Sequence, residues 1–156
     1  MNQIHLKLER AFCFFLVFLF LEGCAPLSTK QWAFQDLSTG YPRFDGERIF
    51  YKGVDTLYGM ELSFMKGSYG VRGFISVYTH KLPKTPSRFL AIIIEKQTFQ
   101  CQVMEGEQQL ALPKEAIAFI FKKLKSTHSI FIVIPNTPFH LTVLSSNFKE
   151  VIKNRT

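Results

Sequence analysis

Thiols and imidazoles carry most of the chemistry that a short sequence can offer, and here they are few and scattered. The cysteines are Cys13, Cys24 and Cys101, and past the first residues the histidines are His80, His128 and His140. None of them has a His or Cys partner at the spacing of a metal-ligand pair, so no metal-binding set is assigned and no cofactor is implied. The nucleophile elbow G-x-S-x-G and the zinc motif H-E-x-x-H are both missing from the sequence. Asp36, Asp45 and Asp55 are dispersed, and Asp45-Gly46 reads as a turn. Gly67, Gly70 and Gly73 match neither nucleotide-binding fingerprint, because their spacing is wrong and no Lys-Ser or Lys-Thr pair follows. They read instead as a tight turn plus a bulge. No catalytic residue is assigned, and the residues favour a role that is not enzymatic.

Cys24 has the most specific surroundings. Lys7 and Arg10 form a short basic region, and Ala11 to Leu21 is an unbroken apolar run holding five of the 17 phenylalanines. A helix needs roughly 20 apolar residues to span a bilayer, whereas the apolar region of a secretory signal needs about 7 to 15. The run fits the second class. Glu22 ends it, and Leu21-Glu22-Gly23-Cys24 follows at once.

This stretch resembles the lipobox of bacterial lipoproteins. There an aliphatic residue stands three before an invariant cysteine and a small residue directly before it, the places held here by Leu21 and Gly23. The resemblance implies that Cys24 receives a diacylglycerol thioether and that a peptidase cuts between Gly23 and Cys24. Glu22 departs from the family, which usually carries a small or uncharged residue at that place. Two or three acyl chains on one residue meet the two-signal requirement for stable anchoring. The implied location is the bacterial cell envelope, membrane-anchored and facing periplasm or exterior.

The rest of the chain is an ordinary globular composition. The sequence is 47% hydrophobic and 20% charged with a net charge of +7 and a mean hydropathy of +0.08, which excludes a disordered tail and a disulfide-stapled miniprotein. In residues 1–23 Lys7 and Arg10 balance Glu9 and Glu22, so the charge of the remainder is also +7. In an envelope protein that excess faces anionic lipid headgroups rather than nucleic acid. With Cys13 in the signal and Cys24 capped by lipid, Cys101 has no partner for a disulfide. It alternates with Phe99 and Val103, as a small core residue would.

Three regions follow: a signal peptide over 1–23, a tether over 24–43, and one globular domain over 44–156. The tether carries Pro26, Ser28, Thr29, Ser38, Gly40 and Pro42, with Trp32 and Phe34 either docked on the body or at the lipid interface; docking is preferred. Strands are expected from Glu47 onward. Tyr58 to Phe64 alternates, Val71 to Thr79 is rich in β-branched and aromatic residues, and Phe89 to Ile94 reads as a central strand buried on both faces. Thr98 to Met104 and Gln109 to Leu112 complete an expected meander. Pro113 opens a helix as its first residue, with Ile117, Ile120, Phe121 and Leu124 at helical spacing. Phe119 falls off that stripe and is a candidate partner contact. Ile130 to Ile134 and Phe139 to Leu144 are two further strands, and the Asn147/Glu150 capping-box spacing predicts a last short helix presenting Phe148, Val151 and Ile152. The fold class is α+β: a largely antiparallel sheet of about six to eight strands with two helices, about 113–126 and 147–153.

Two functions are compatible with these residues. One is a lipid-anchored envelope protein with a structural or interaction role and an envelope protein as partner. The other is a periplasmic binding or carrier module for an apolar or anionic ligand, with a hydrolase a distant third. A large apolar pocket under the strands around Phe64 and Phe89–Ile94 would favour the second. The anchor has a direct check: mass spectrometry of the N-terminal peptide should find diacylglyceryl on Cys24 with nothing upstream, and Cys24→Ala should lose metabolically added fatty acid. An intact Met1–Gly23 segment on the matured protein would refute it.

Overall fold

Alternation along Met60–Gly67 organises the sheet. Met60, Leu62 and Phe64 point to one side and are fully buried, and the antiparallel partners on either side repeat the pattern: Tyr51 opposite Leu62 and Ile49 opposite Phe64, then Ile75 and Gly73 across the next ladder. A period of two puts every second residue on one face, and here that face is the core. The computed structural model describes residues 32–38, 41, 45–52 and 59–153. The signal segment, Gly23, Cys24, Asp55 and Tyr58 lie outside them.

Nine strands are described: β1 (Trp32–Leu37), β2 (Gly46–Lys52), β3 (Met60–Gly67), β4 (Gly70–Val77), β5 (Phe89–Ile94), β6 (Gln97–Val103), β7 (Gln109–Leu112), β8 (Ser129–Val133) and β9 (His140–Leu144). They form one sheet in the order β1-β2-β3-β4-β7-β6-β5-β8-β9, and every ladder is antiparallel. Two helices, α1 (Lys114–Ser126) and α2 (Phe148–Lys153), complete the α+β arrangement, which is mostly β. Both pack on the inner face of the sheet, where Ile117, Ile120, Leu124 and Phe148 join the strand residues in one core.

Several expectations are corrected. The strand count exceeds six to eight because Trp32–Leu37, inside the stretch expected to be a tether, forms β1 along β2. The meander breaks after β4, which pairs with β7 and not β5. The two-proline segment after Val77 carries the chain to β5, and β5, β6 and β7 then return to β4 as consecutive hairpins. Leu82 is buried and donates its N–H to the Glu107 carbonyl at 2.7 Å, which fixes that crossing. β5 lies between β6 and β8 but is buried on one face only: Ile92 and Ile94 are enclosed, while Phe89 is half exposed.

Both helices start one residue late. Pro113 has φ −68° and ψ 158°, an extended cap outside α1, whose first ladder bond runs from Ile117 N–H to the Pro113 carbonyl at 3.2 Å. Asn147 has φ +52° and precedes α2. Its side chain does not cap the helix. Asn147 Oδ1 accepts from the Trp32 N–H, and Asn147 Nδ2 donates to the Trp32 carbonyl, both at 3.0 Å. Trp32 Nε1 also donates to the Leu144 carbonyl at 2.9 Å. The first strand is thereby fastened to the end of the last, and the indole is buried against Tyr51, Phe64 and Phe148.

Gly73 sits in an unbroken ladder rather than a bulge, since the β3–β4 register runs without interruption from Met60 opposite Val77 to Gly67 opposite Gly70. Its role is close packing. A Cβ there would lie 2.9 Å from Ile117 Cγ1, 3.0 Å from Leu112 Cδ1 and 3.1 Å from Phe64 Cδ1. Gly73→Ala should therefore push α1 off the sheet and cost about 1 to 3 kcal/mol, read as a lower denaturant midpoint at unchanged slope. An unchanged midpoint would show that α1 does not bear on β4 at this residue.

Candidate binding site

The described inner face is not filled everywhere. On the β5–β9 side Ile92, Ile94, Ile130, Ile132 and Leu141 pack without exposure. On the β1–β4 side a cavity of about 250 Å³ remains, between Phe34, Ile49, Phe64 and Val71 of the strands and Phe121, Val151 and Ile152 of the helices. The register explains why one strand face supplies this wall: Phe34 stands opposite Ile49, Ile49 opposite Phe64, and Val71 opposite Lys66. Glu47 and Lys66, which are also opposite each other, are the polar residues of the lining. Lys66 and Val71 are exposed, so the mouth opens beside the β3–β4 turn.

An aromatic chain gives the wall its shape. Phe64 meets Phe121 edge to face at 4.7 Å, Phe121 meets Phe148 at 5.7 Å, and Trp32 stacks on Phe64 at 6.0 Å. Such pairs stabilise by about 0.5 to 1.5 kcal/mol each beyond their burial, which fixes the positions of the rings that border the cavity. Phe121, expected in the core, is half-buried because its ring borders this space. Phe119 is not a free partner contact. It packs on Phe99 at 5.6 Å, with Lys123 Nζ 5.5 Å from its ring centre.

The other candidates offer less. A pocket of about 330 Å³ at the opposite end of the sheet is lined by Lys84, Thr85, Arg88, Glu105 and Glu107, among others. Its charges are already paired in part, since Lys81 and Lys84 each reach Glu107 at 3.7 Å. On the outer face Glu61 is fully buried and accepts a hydrogen bond from Arg48, which also donates to Gln35 at 3.2 Å and lies over Phe50 at 4.7 Å. Partial burial, and then the neighbouring Glu61 carboxylate, push the Tyr78 phenol above its ordinary value. This cluster neutralises a carboxylate under the sheet's outer surface, with Arg48 and Tyr78 as its titratable neighbours.

The three histidines are apart: His80 contacts Thr79 and lies by Phe139, His140 lies by Phe131, and His128 is exposed just beyond α1. Among the described residues no three His, Cys, Asp or Glu side chains come together as a metal-binding group. No described helix is long and apolar enough to cross a membrane. The sequence offers the strand of Phe64 as a pocket wall, but together with Phe89–Ile94, which does not line this cavity; Phe121, Val151 and Ile152 stand in it only as core residues, and Phe34 is missed because the segment around it has no sustained periodicity. Compared with protein-family models, curated proteins and solved structures, the chain matches none.

Cys101 is fully buried on the inner face, and burial pushes its thiol up to about 12. Alkylation needs the thiolate, so Cys101 should stay unlabelled by iodoacetamide at pH 8 in the folded protein and react once denatured. The same shift fixes a pH dependence. An unfolded thiol ionises near 9 while the folded one stays neutral, so stability from this group is whole below pH 9. It then falls as pH rises toward 12, by up to about 1.4 kcal/mol per pH step. Cys101→Ala should flatten that alkaline limb in denaturation series, and an unaltered limb would assign it to other groups.

Proposed function

We propose that this chain is a lipid-anchored protein of the bacterial cell envelope, held through Cys24, whose folded domain binds one apolar chain of an amphiphile in the β1–β4 cavity. The observation that carries the reading is the lining itself: seven apolar side chains around about 250 Å³, with one carboxylate and one ammonium at its polar edge. An apolar protein cavity of 150 Å³ holds a benzene, so by proportion this one takes on the order of ten carbons. The lining contains no hydroxyl, thiol or imidazole. The site therefore suits holding a chain rather than cleaving one.

The alternative, an interaction protein that docks on an envelope partner, draws support from the outer face. Phe131 is 44% exposed there beside His140. The other exposed aromatic of that half of the sheet, Phe89, stands six residues along β5 from the level of Phe131, and a docking surface needs a contiguous patch.

The two readings separate in cells fed a fatty acid that carries a diazirine at the chain end. After irradiation, crosslinks should map to the peptides holding Phe121 and Val151, and Ile49→Trp, which fills the cavity, should reduce them at least about tenfold. Crosslinks confined to the peptide around Cys24 would overturn the cavity reading and leave the anchor standing.

A further inference from the structure

We infer that the pocket between the two-proline segment and the β6–β7 turn is a second binding site, for a small zwitterion about the size of a dipeptide, with Arg88 taking its carboxylate and Glu105 its ammonium. The site lies at the other end of the sheet from the β1–β4 cavity and does not depend on what that cavity holds. Its volume is about 330 Å³, and Pro83, Val103 and Met104 are its apolar lining. By the measure that about 150 Å³ of cavity holds a benzene, it has room for roughly a dozen heavy atoms.

The charges around this pocket are unequally engaged. Lys81 and Lys84 both reach Glu107 at 3.7 Å, whereas neither Arg88 nor Glu105 has an ion pair among the described residues. The pocket therefore presents one unpaired cation and one unpaired anion that do not reach each other. A simple anion on Arg88 would leave Glu105 unmatched and meet its repulsion, and a simple cation on Glu105 would meet that of Arg88. A molecule with both charges satisfies the two at once, and a guanidinium suits a carboxylate because it can donate to both oxygens. Thr85 also borders the pocket, and its Oγ1 is buried with no hydrogen-bond partner among the described residues. A buried hydroxyl is costly in that condition unless a polar group reaches it.

The backbone at Arg88 supports the same reading. Pro86 and Ser87 turn the chain, the Arg88 N–H donates to the Thr85 carbonyl at 3.1 Å, and Arg88 lies at φ +54° directly before β5. That conformation ordinarily belongs to glycine. Strain of this kind clusters at ligand sites, and here it falls on the cation that has no ion pair. Glu107, also in the lining, is left-handed too, at φ +56°. The walls are fixed independently of any ligand: the Val103 N–H donates to the Arg88 carbonyl at 2.8 Å and the Leu82 N–H to the Glu107 carbonyl at 2.7 Å. Little ordering cost is then left for binding to meet.

The test is isothermal titration of the full chain as the cell produces it, purified in detergent. The probes are the dipeptide alanyl-leucine, its N-acetyl form, its C-terminal amide and inorganic phosphate. The free dipeptide should saturate the site below about 10 mM, and loss of either of its charges should weaken binding at least about tenfold. Arg88→Gly removes the guanidinium and relieves the backbone, so its denaturant midpoint should not fall, while the dipeptide and its amide become equally weak. Glu105→Gln, on an exposed turn, should likewise make the dipeptide and its N-acetyl form bind alike. Failure of the dipeptide to saturate would overturn the inference, and so would a charge-blocked form binding as well as the free one. Phosphate binding as tightly as the dipeptide would overturn it as well, leaving an anion site, as would an Arg88→Gly chain that binds the dipeptide at full strength.

Discussion

Everything on the inner face depends on how Trp32 is held. Its ring fills the space between β2, β3 and α2, its indole N–H is satisfied by the Leu144 carbonyl, and its backbone N–H and carbonyl both pair with the side chain of Asn147. An amide side chain offers the same donor and acceptor as a peptide group, so Asn147 acts as one more rung of strand at a place where the main chain is turning into a helix. Burying a tryptophan removes 150 to 250 Å² from water, about 4 to 6 kcal/mol in gross terms. Because the partners come from both margins of the sheet, that gain curls nine strands around two helices.

The two faces then divide the work. The inner face is apolar and, on its β1–β4 side, incompletely filled; the outer face carries the charge. Glu61 shows the cost of that division, since it is enclosed although it points outward. Arg48 lays its guanidinium over the Phe50 ring and donates from it to Glu61, so one group both neutralises the carboxylate and packs on an aromatic face. Removing Arg48 alone would leave the buried Glu61 carboxylate uncompensated. That requirement ties β2 to β3 on the side away from the core, just as Phe64 and Ile49 tie them within it.

Local pattern made much of this legible and long-range pairing hid the rest. The 3.6-residue period of Ile117, Ile120 and Leu124 marked α1 because a helix writes its buried face into consecutive turns, and the alternation of Phe99 and Cys101 placed the thiol in the core for the same kind of reason. β1 was obscure because an edge strand that buries Trp32 and half-buries Phe34 shows too few turns of the pattern to stand out among Pro, Ser and Gly. The sequence of ladders could not be read because β4 meets β7 across a loop and two hairpins, and nothing local encodes that choice. Asn147 was noticed for the wrong partner: its capping-box spacing was visible, but its bonds go to a residue 115 positions away. The cavity is a shortfall of packing among Phe34, Ile49, Phe64 and Phe121, and a shortfall has no residue of its own.

The distance between Trp32 and Asn147 also sets an order of events. Strands β2 to β4 and β5 to β7 close through neighbouring hairpins and can form as soon as they exist, but the indole must wait for Leu144 and Asn147, among the last residues of the chain. Contacts of such separation are slow to form because loop-closure entropy comes before their reward. While synthesis proceeds from the N-terminus, β1 has no finished site to occupy and the inner face stays open. The inner face closes only when synthesis reaches the last helix, which is the final piece of the fold.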